Sequence, residues 1–215
     1  LDEDGVVGQA FGVDLGQRAE REGIGPFEGD AQHGFRRTGR RKDFPASPPE
    51  NVIDRLGDVA GIGVVPELFG GRGFRAGRRT QNNAEHEQAV FEAIEGDARF
   101  IFANFEDTDM LFGHRNDPEG FGKCLERFDI FLGDLLARLA PEDMLILTAD
   151  HGNDPTDVST DHTREYVPFT VYLPGSSFSN LNNFGALNGF GSVGATVEEY
   201  LAGGSPSNLS VLRKL

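Results

Sequence analysis

The stretch Leu145-Ile146-Leu147-Thr148-Ala149-Asp150-His151-Gly152-Asn153 decides how this chain is read. An apolar run of β-forming residues breaks directly into a carboxylate, an imidazole and a glycine. That is the pattern of a buried strand ending in a chemically active loop. Shortly downstream, Thr160-Asp161-His162-Thr163-Arg164-Glu165-Tyr166-Val167-Pro168 sets a second imidazole beside an aspartate. A third block, Asp109-Met110-Leu111-Phe112-Gly113-His114, follows the strand-like run Arg99 to Phe105. Three of the five histidines lie in these blocks, each close to an aspartate.

Working outward, the apolar spacing predicts a helix over 51–59 and a short strand over 62–65. A glycine- and arginine-rich loop at 70–83 leads to a helix over 84–94, with Gly96 as its stop signal. The longest helix is expected to start at Asp117 as N-cap, with Pro118 in its first turn. Its stripe of Leu125, Phe128, Phe131, Leu132, Leu135 and Leu139 is expected to face the core. Strands are predicted over 144–148 and 169–173, then a loop over 174–191 and a last helix over 193–201. Strands alternating with helices give an α/β fold with a mainly parallel sheet flanked by helices. Residues 1–48 lack such periodicity and read as loops and short elements. Pro45, Pro48 and Pro49 then make a stiff connection, so the division expected is 1–48 and 49–215.

The chain of 215 residues carries a net charge of −15 and a pI near 4.7. Such acidity argues against nucleic acid and against anionic membranes as partners, since both require a basic face. No run is apolar enough to span a bilayer, and the start of the sequence lacks a leader pattern. The single cysteine, Cys124, permits no disulfide within one chain, fits a cytoplasmic location, and is expected to be structural. Arg36-Arg37-Thr38-Gly39-Arg40-Arg41-Lys42 concentrates five cations in seven residues, either as a solvated loop or as a grip for phosphate.

Ligands in open α/β sheets gather at the carboxyl ends of strands, where all three Asp/His blocks are expected. Any one Asp-His pair alone reads more readily as a helix or turn cap with a surface imidazole; three such pairs at three strand ends point to metal. Mixed carboxylate and imidazole donors suit Mn²⁺ or Zn²⁺ better than Mg²⁺ or Ca²⁺. Asp109, His114, Asp150, His151 and His162 are too many for one tetrahedral site and suggest two ions, the arrangement that clamps the oxygens of a transferring phosphoryl group. His33 and His86 fall outside the blocks and are expected at the surface.

Asp109 to Phe121, Thr148 to Thr156 and above all Asp161-His162-Thr163-Arg164-Glu165-Tyr166 closely resemble the phosphopentomutase family of the alkaline phosphatase superfamily. The segments Phe35 to Thr38, Arg41 to Phe44 and Val193 to Leu201 are similar to it as well, so the resemblance runs over roughly 24–201. It implies an alkaline phosphatase-like core with a remnant of a cap domain in 1–48. It also implies an isomerase that exchanges ribose (or deoxyribose) 1-phosphate and 5-phosphate through a metal-bound phosphothreonine, in nucleotide metabolism. Two Mn²⁺ ions are implied, with Zn²⁺ or Mg²⁺ as alternatives. Asp109, His114 and His162 would hold one ion, Asp150 and His151 part of the other, and Arg37 and Arg41 the sugar phosphate. The family's opening strand with its metal-binding Asp and its nucleophilic Thr have no counterpart here. The expectation is therefore metal binding without turnover by this chain alone. Another phosphatase or phosphoglycerate mutase of the superfamily, or a non-catalytic metal-binding fragment, are the rival readings.

Overall fold

In the computed structural model, residues 27–30, 32, 34–37, 48–77, 79–176, 183–204 and 208–214 are described. The chain divides into two units, Leu1–Pro49 and Glu50–Leu215. In the first, strands β1 (Phe27–Asp30) and β2 (Gly34–Arg37) pair as an antiparallel hairpin.

The second unit is α/β. Helix α1 (Val52–Leu56) begins with a reciprocal cap: Asn51 Oδ1 accepts from the Ile53 N–H, while the Asn51 N–H donates to Asp54. It stops short of the predicted residue 59 because Gly57 turns to φ +61°. Strand β3 (Ala60–Ile62) lies two residues earlier than predicted. Gly63 at φ +79° ends it, and Pro66 starts a single helical turn, α2 (Val65–Leu68), where a strand residue was expected. Helix α3 (Asn83–Ile94) is capped by Asn82. It leads to β4 (Ile101–Ala103), which pairs parallel to β3 with Ala60 opposite Ile101. This β3–α3–β4 crossover needs the helix because parallel neighbours cannot be joined by a tight turn.

The longest helix, α4 (Pro118–Leu136), starts as its sequence predicts, with Asp117 Oδ1 accepting from the Gly120 N–H. Phe131 and Leu135 are buried in a core with Ile62 and Val90, and Phe128, Leu132, Leu139, Ile101, Ala103 and Leu145 pack around it. Leu125, predicted as part of that stripe, is instead 49% exposed. Strands β5 (Leu145–Thr148) and β6 (Phe169–Tyr172) pair antiparallel, with Leu145 opposite Tyr172. Among the described strands β3 and β4 pair in parallel, and Val59 and Phe74 add an isolated parallel bridge. Helix α5 (Gly191–Ala202) closes the unit against α1, with Glu198 held by the Arg55 guanidinium through Nε at 2.6 Å and Nη2 at 3.2 Å. No described helix is long and apolar enough to cross a membrane.

His86, expected at the surface, is 2% exposed. It shares the inner face of α3 with Asn83 and Val90, and Phe105 meets its ring edge-on at 5.8 Å. Both of its ring nitrogens are without a partner among the described residues.

One buried hydroxyl fastens the end of the chain. Thr196 Oγ1 donates to Ser192 O at 2.7 Å and accepts from the Val211 N–H at 3.1 Å. Thr196→Val keeps the shape but strands that buried N–H. It is expected to cost about 1–3 kcal/mol, read as a lower urea midpoint at unchanged m-value.

Candidate metal centre

Between β4 and α4 the chain does not run as a plain loop. Thr108–Phe112 forms one π turn and Gly113–Arg115 a 3₁₀ turn. Such wide turns are rare and concentrate at functional sites because they re-aim side chains that an α-turn would stack. The N-terminus of α3 fixes the entry: the Asn83 N–H donates to Asp107 Oδ2 at 3.0 Å, and the Asp107 N–H donates to Asn83 Oδ1 at 3.3 Å. Glu106 is held by accepting from the Val64 N–H at 2.8 Å. Asp109 is thereby presented from the end of β4.

The second contribution comes from the end of β5. There Gly152 and Thr163 form an isolated antiparallel bridge, with the Thr163 N–H donating to Gly152 O at 2.9 Å. The bridge brings residues from either side of a ten-residue excursion together and stacks the His151 and His162 rings at 3.5 Å between centroids, 15° between planes. The His114 ring lies 4.9 Å from that of His162.

These segments meet at Asp109. One ligand atom from each of Asp109, His151 and His162 lies within 4.8 Å of the others. His114 Nε2 is 3.2 Å from Asp109 Oδ2, and His162 Nε2 is 3.6 Å from Asp109 Oδ1. The Asn153 amide donates to the same Oδ1 at 2.5 Å. Asp150 is the outlier: its side chain is 70% exposed and its Oδ2 lies 3.6 Å from His151 Nε2. So His151 stands with Asp109 and His162 as well as with Asp150, which the sequence alone had paired it with. Arg37 ends β2 in the other unit, and Arg41 lies outside the described residues.

The donor set fits a divalent cation. His114 Nδ1 is 2.5 Å from Thr160 O, and a carbonyl only accepts, so Nδ1 carries the proton. His151 Nδ1 is committed likewise to Gly152 O at 3.2 Å. Each ring directs Nε2 at a carboxylate oxygen, His114 at Asp109 and His151 at Asp150, the side from which an imidazole and a carboxylate can share a cation. A carbonyl behind each imidazole is the usual support of a ligating histidine.

Three residues of this centre were not singled out from sequence. Asn153 lies inside the quoted Asp-His-Gly-Asn run. Gly113 has no side chain because Asn153 occupies its space: an added Cβ would collide with the Asn153 amide. Asn116 adopts φ +51° and donates from Nδ2 to Asp157 O at 2.5 Å and Ser159 O at 3.1 Å. Of the acidic residues in the excursion, Asp154 is held below the usual carboxylate range by the Thr156 hydroxyl and then by the Thr156 N–H.

Gly152 is a second packing constraint. A Cβ there would strike the Glu165 carboxylate and approach Thr163 O to 2.8 Å. Glu165 can swing away, but the backbone oxygen cannot move without opening the bridge. Gly152→Ala is therefore expected to weaken divalent metal binding by about 10-fold or more, measured by titration with Mn²⁺ under paramagnetic resonance.

The Metalloenzyme superfamily model matches residues 70–202, which include Asp109, His114, Asp150, His151 and His162. The chain is 45% identical over 184 residues to a phosphopentomutase of Dictyoglomus thermophilum, covering 81% of this chain and 45% of that protein. It is 42% identical over 198 residues to one of Anaeromyxobacter sp., covering 88% of this chain and 50% of that protein. A Clostridium perfringens phosphopentomutase is 36% identical over 199 residues, with coverage of 88% and 50%. The chain thus spans about half the length of the curated relatives it matches.

Proposed function

Because this chain belongs to the metalloenzyme superfamily, we propose that it provides the metal-binding half of a phosphopentomutase. The substrates would be ribose or deoxyribose 1-phosphate and 5-phosphate. The observation that carries the reading is the meeting of Asp109, His151 and His162, which come from separate segments, within 4.8 Å. Asp109, His114 and His162 would hold one ion, Asp150 and His151 part of a second, and Mn²⁺ is the ion proposed. Bound divalent ions neutralise the charge on phosphoryl oxygens and orient them.

The residues of this chain would hold the ions, fix the imidazole tautomers through Thr160 O and Gly152 O, and leave an open, solvent-facing rim for a phosphate. The carrier of the phosphoryl group would be a threonine outside these 215 residues. Of the described threonines near the centre, Thr108 Oγ1 is engaged with Cys124 Sγ at 3.4 Å and Thr148 Oγ1 with Ala149 O at 3.4 Å, whereas the buried Thr163 Oγ1 beside His162 has no partner among the described residues. Arg37 and Arg41 would grip the sugar phosphate, and the substrate class implies nucleotide metabolism in the cytoplasm.

The test is metal content per chain after dialysis against Mn²⁺, together with a coupled assay for ribose 5-phosphate from ribose 1-phosphate. Retention of divalent metal without turnover is the expected result for residues 1–215. A chain that keeps no metal sinks the assignment, turnover by this chain alone refutes the division of labour, and release of inorganic phosphate would favour a phosphatase.

A further inference from the structure

We propose that Asn116 is a positioning residue that latches the 157–160 segment and so delivers His162 to Asp109. The proposal deepens the metal-binding reading and rests on it for its consequence at the ion.

The excursion between His151 and His162 has little else to hold it. Asp154, Thr156, Asp157, Val158, Thr160 and Asp161 are all exposed, Val158 to 99%, and only Pro155 and Ser159 are half-buried, so apolar burial contributes little to its placement. Its internal bonds, such as Asp157 N–H to Asp154 O, shape it without anchoring it. Beyond the Gly152–Thr163 bridge, the described bonds from 154–161 to another part of the fold run to the turn at 113–116. Asn116 Nδ2 reaches Asp157 O and Ser159 O, and His114 Nδ1 reaches Thr160 O. Three carbonyls in four residues are thus gathered by two side chains of one turn.

The backbone at Asn116 is set up for this. A left-handed conformation at φ +51° is tolerated by asparagine better than by most residues. It aims the amide across the chain while Asp117 begins α4. The anchor is therefore bonded to a long helix on one side and to the π turn carrying Asp109 on the other, through the Asp117 N–H to Phe112 O at 3.1 Å. Asp109 and the latch move as one body, and His162 is two residues beyond the last latched carbonyl.

The experiment uses Asn116→Gly, which keeps the left-handed backbone and removes only the amide, and Asn116→Asp, which keeps shape but offers acceptors to carbonyls. Both are expected to weaken Mn²⁺ binding by about 10- to 100-fold. In the Asn116→Gly background, His162→Ala is expected to cost little more, because His162 is already displaced; such non-additivity identifies coupled residues. Separately, without metal, limited proteolysis within 154–161 is expected to speed up at least several-fold in Asn116→Gly. Additive losses, or unchanged Mn²⁺ affinity, or an unchanged cleavage rate overturns the latch. If the unaltered chain itself binds no Mn²⁺, the metal reading fails on its own, and the cleavage rate decides whether the latch stands.

Discussion

Asp109→Asn is expected to reduce divalent metal affinity by more than about 100-fold, the upper end of what losing a mere supporting contact costs. The substitution keeps size and shape, so its effect is one of charge and donor capacity. In the unaltered chain Oδ2 faces His114 and Oδ1 faces His162, and Asn153 donates to Oδ1. An asparagine offers a single neutral oxygen, and its amide would face either an imidazole nitrogen or the Asn153 amide. His162→Ala removes one of several imidazoles and Asp150→Asn an exposed carboxylate, so both should cost less. The measurement is Mn²⁺ titration of the three variants side by side. Equal losses in all three, or an unaffected Asp109→Asn, would place the ion somewhere else.

Phe131→Ala is expected to destabilise the second unit by about 3–5 kcal/mol, against a total stability of about 5–15 kcal/mol for a typical domain. Phe131 is 5% exposed and its ring centroid lies 5.2 Å from Phe91, 5.3 Å from Phe105 and 5.7 Å from Phe128. Deleting it removes both its own burial and the tilted ring contacts of three neighbours. Phe131→Leu should cost less, since most of the volume remains. Urea unfolding followed by circular dichroism checks both, and a loss below 1 kcal/mol for alanine would mean that this cluster is not the core. The two predictions separate cleanly: Asp109→Asn should leave the metal-free unfolding curve nearly unchanged.

The convergence of the Asp and His side chains of the candidate site was legible because they sit in short motifs near strand ends, where local sequence and local structure coincide. Asp150-His151-Gly152 follows β5 directly, and Asp109 to His114 needs only one turn. What could not be read was contact between distant residues. Asn116 and Asp157 are 41 positions apart, and nothing in either neighbourhood announces the bond. His86 is different, because its burial did have a signal. Asn83, His86 and Val90 recur at helical spacing on one face of α3, and that spacing outweighs the polarity of imidazole. Element ends were misjudged where glycine reverses the backbone, at Gly57 and Gly63, because an apolar run gives no hint of a left-handed turn inside it.

The packing of α1 against α5 has a consequence for how this unit tolerates rearrangement. Arg55 pairs with Glu198, and a Cβ added at Gly194 would meet Val52 at 3.4 Å, so α1 and α5 are neighbours in space. Val211 is tied back to Thr196 in the middle of α5, so residues near 52 and near 211 reach the same helix, the arrangement that lets a segment be carried within a longer polypeptide without stretching either.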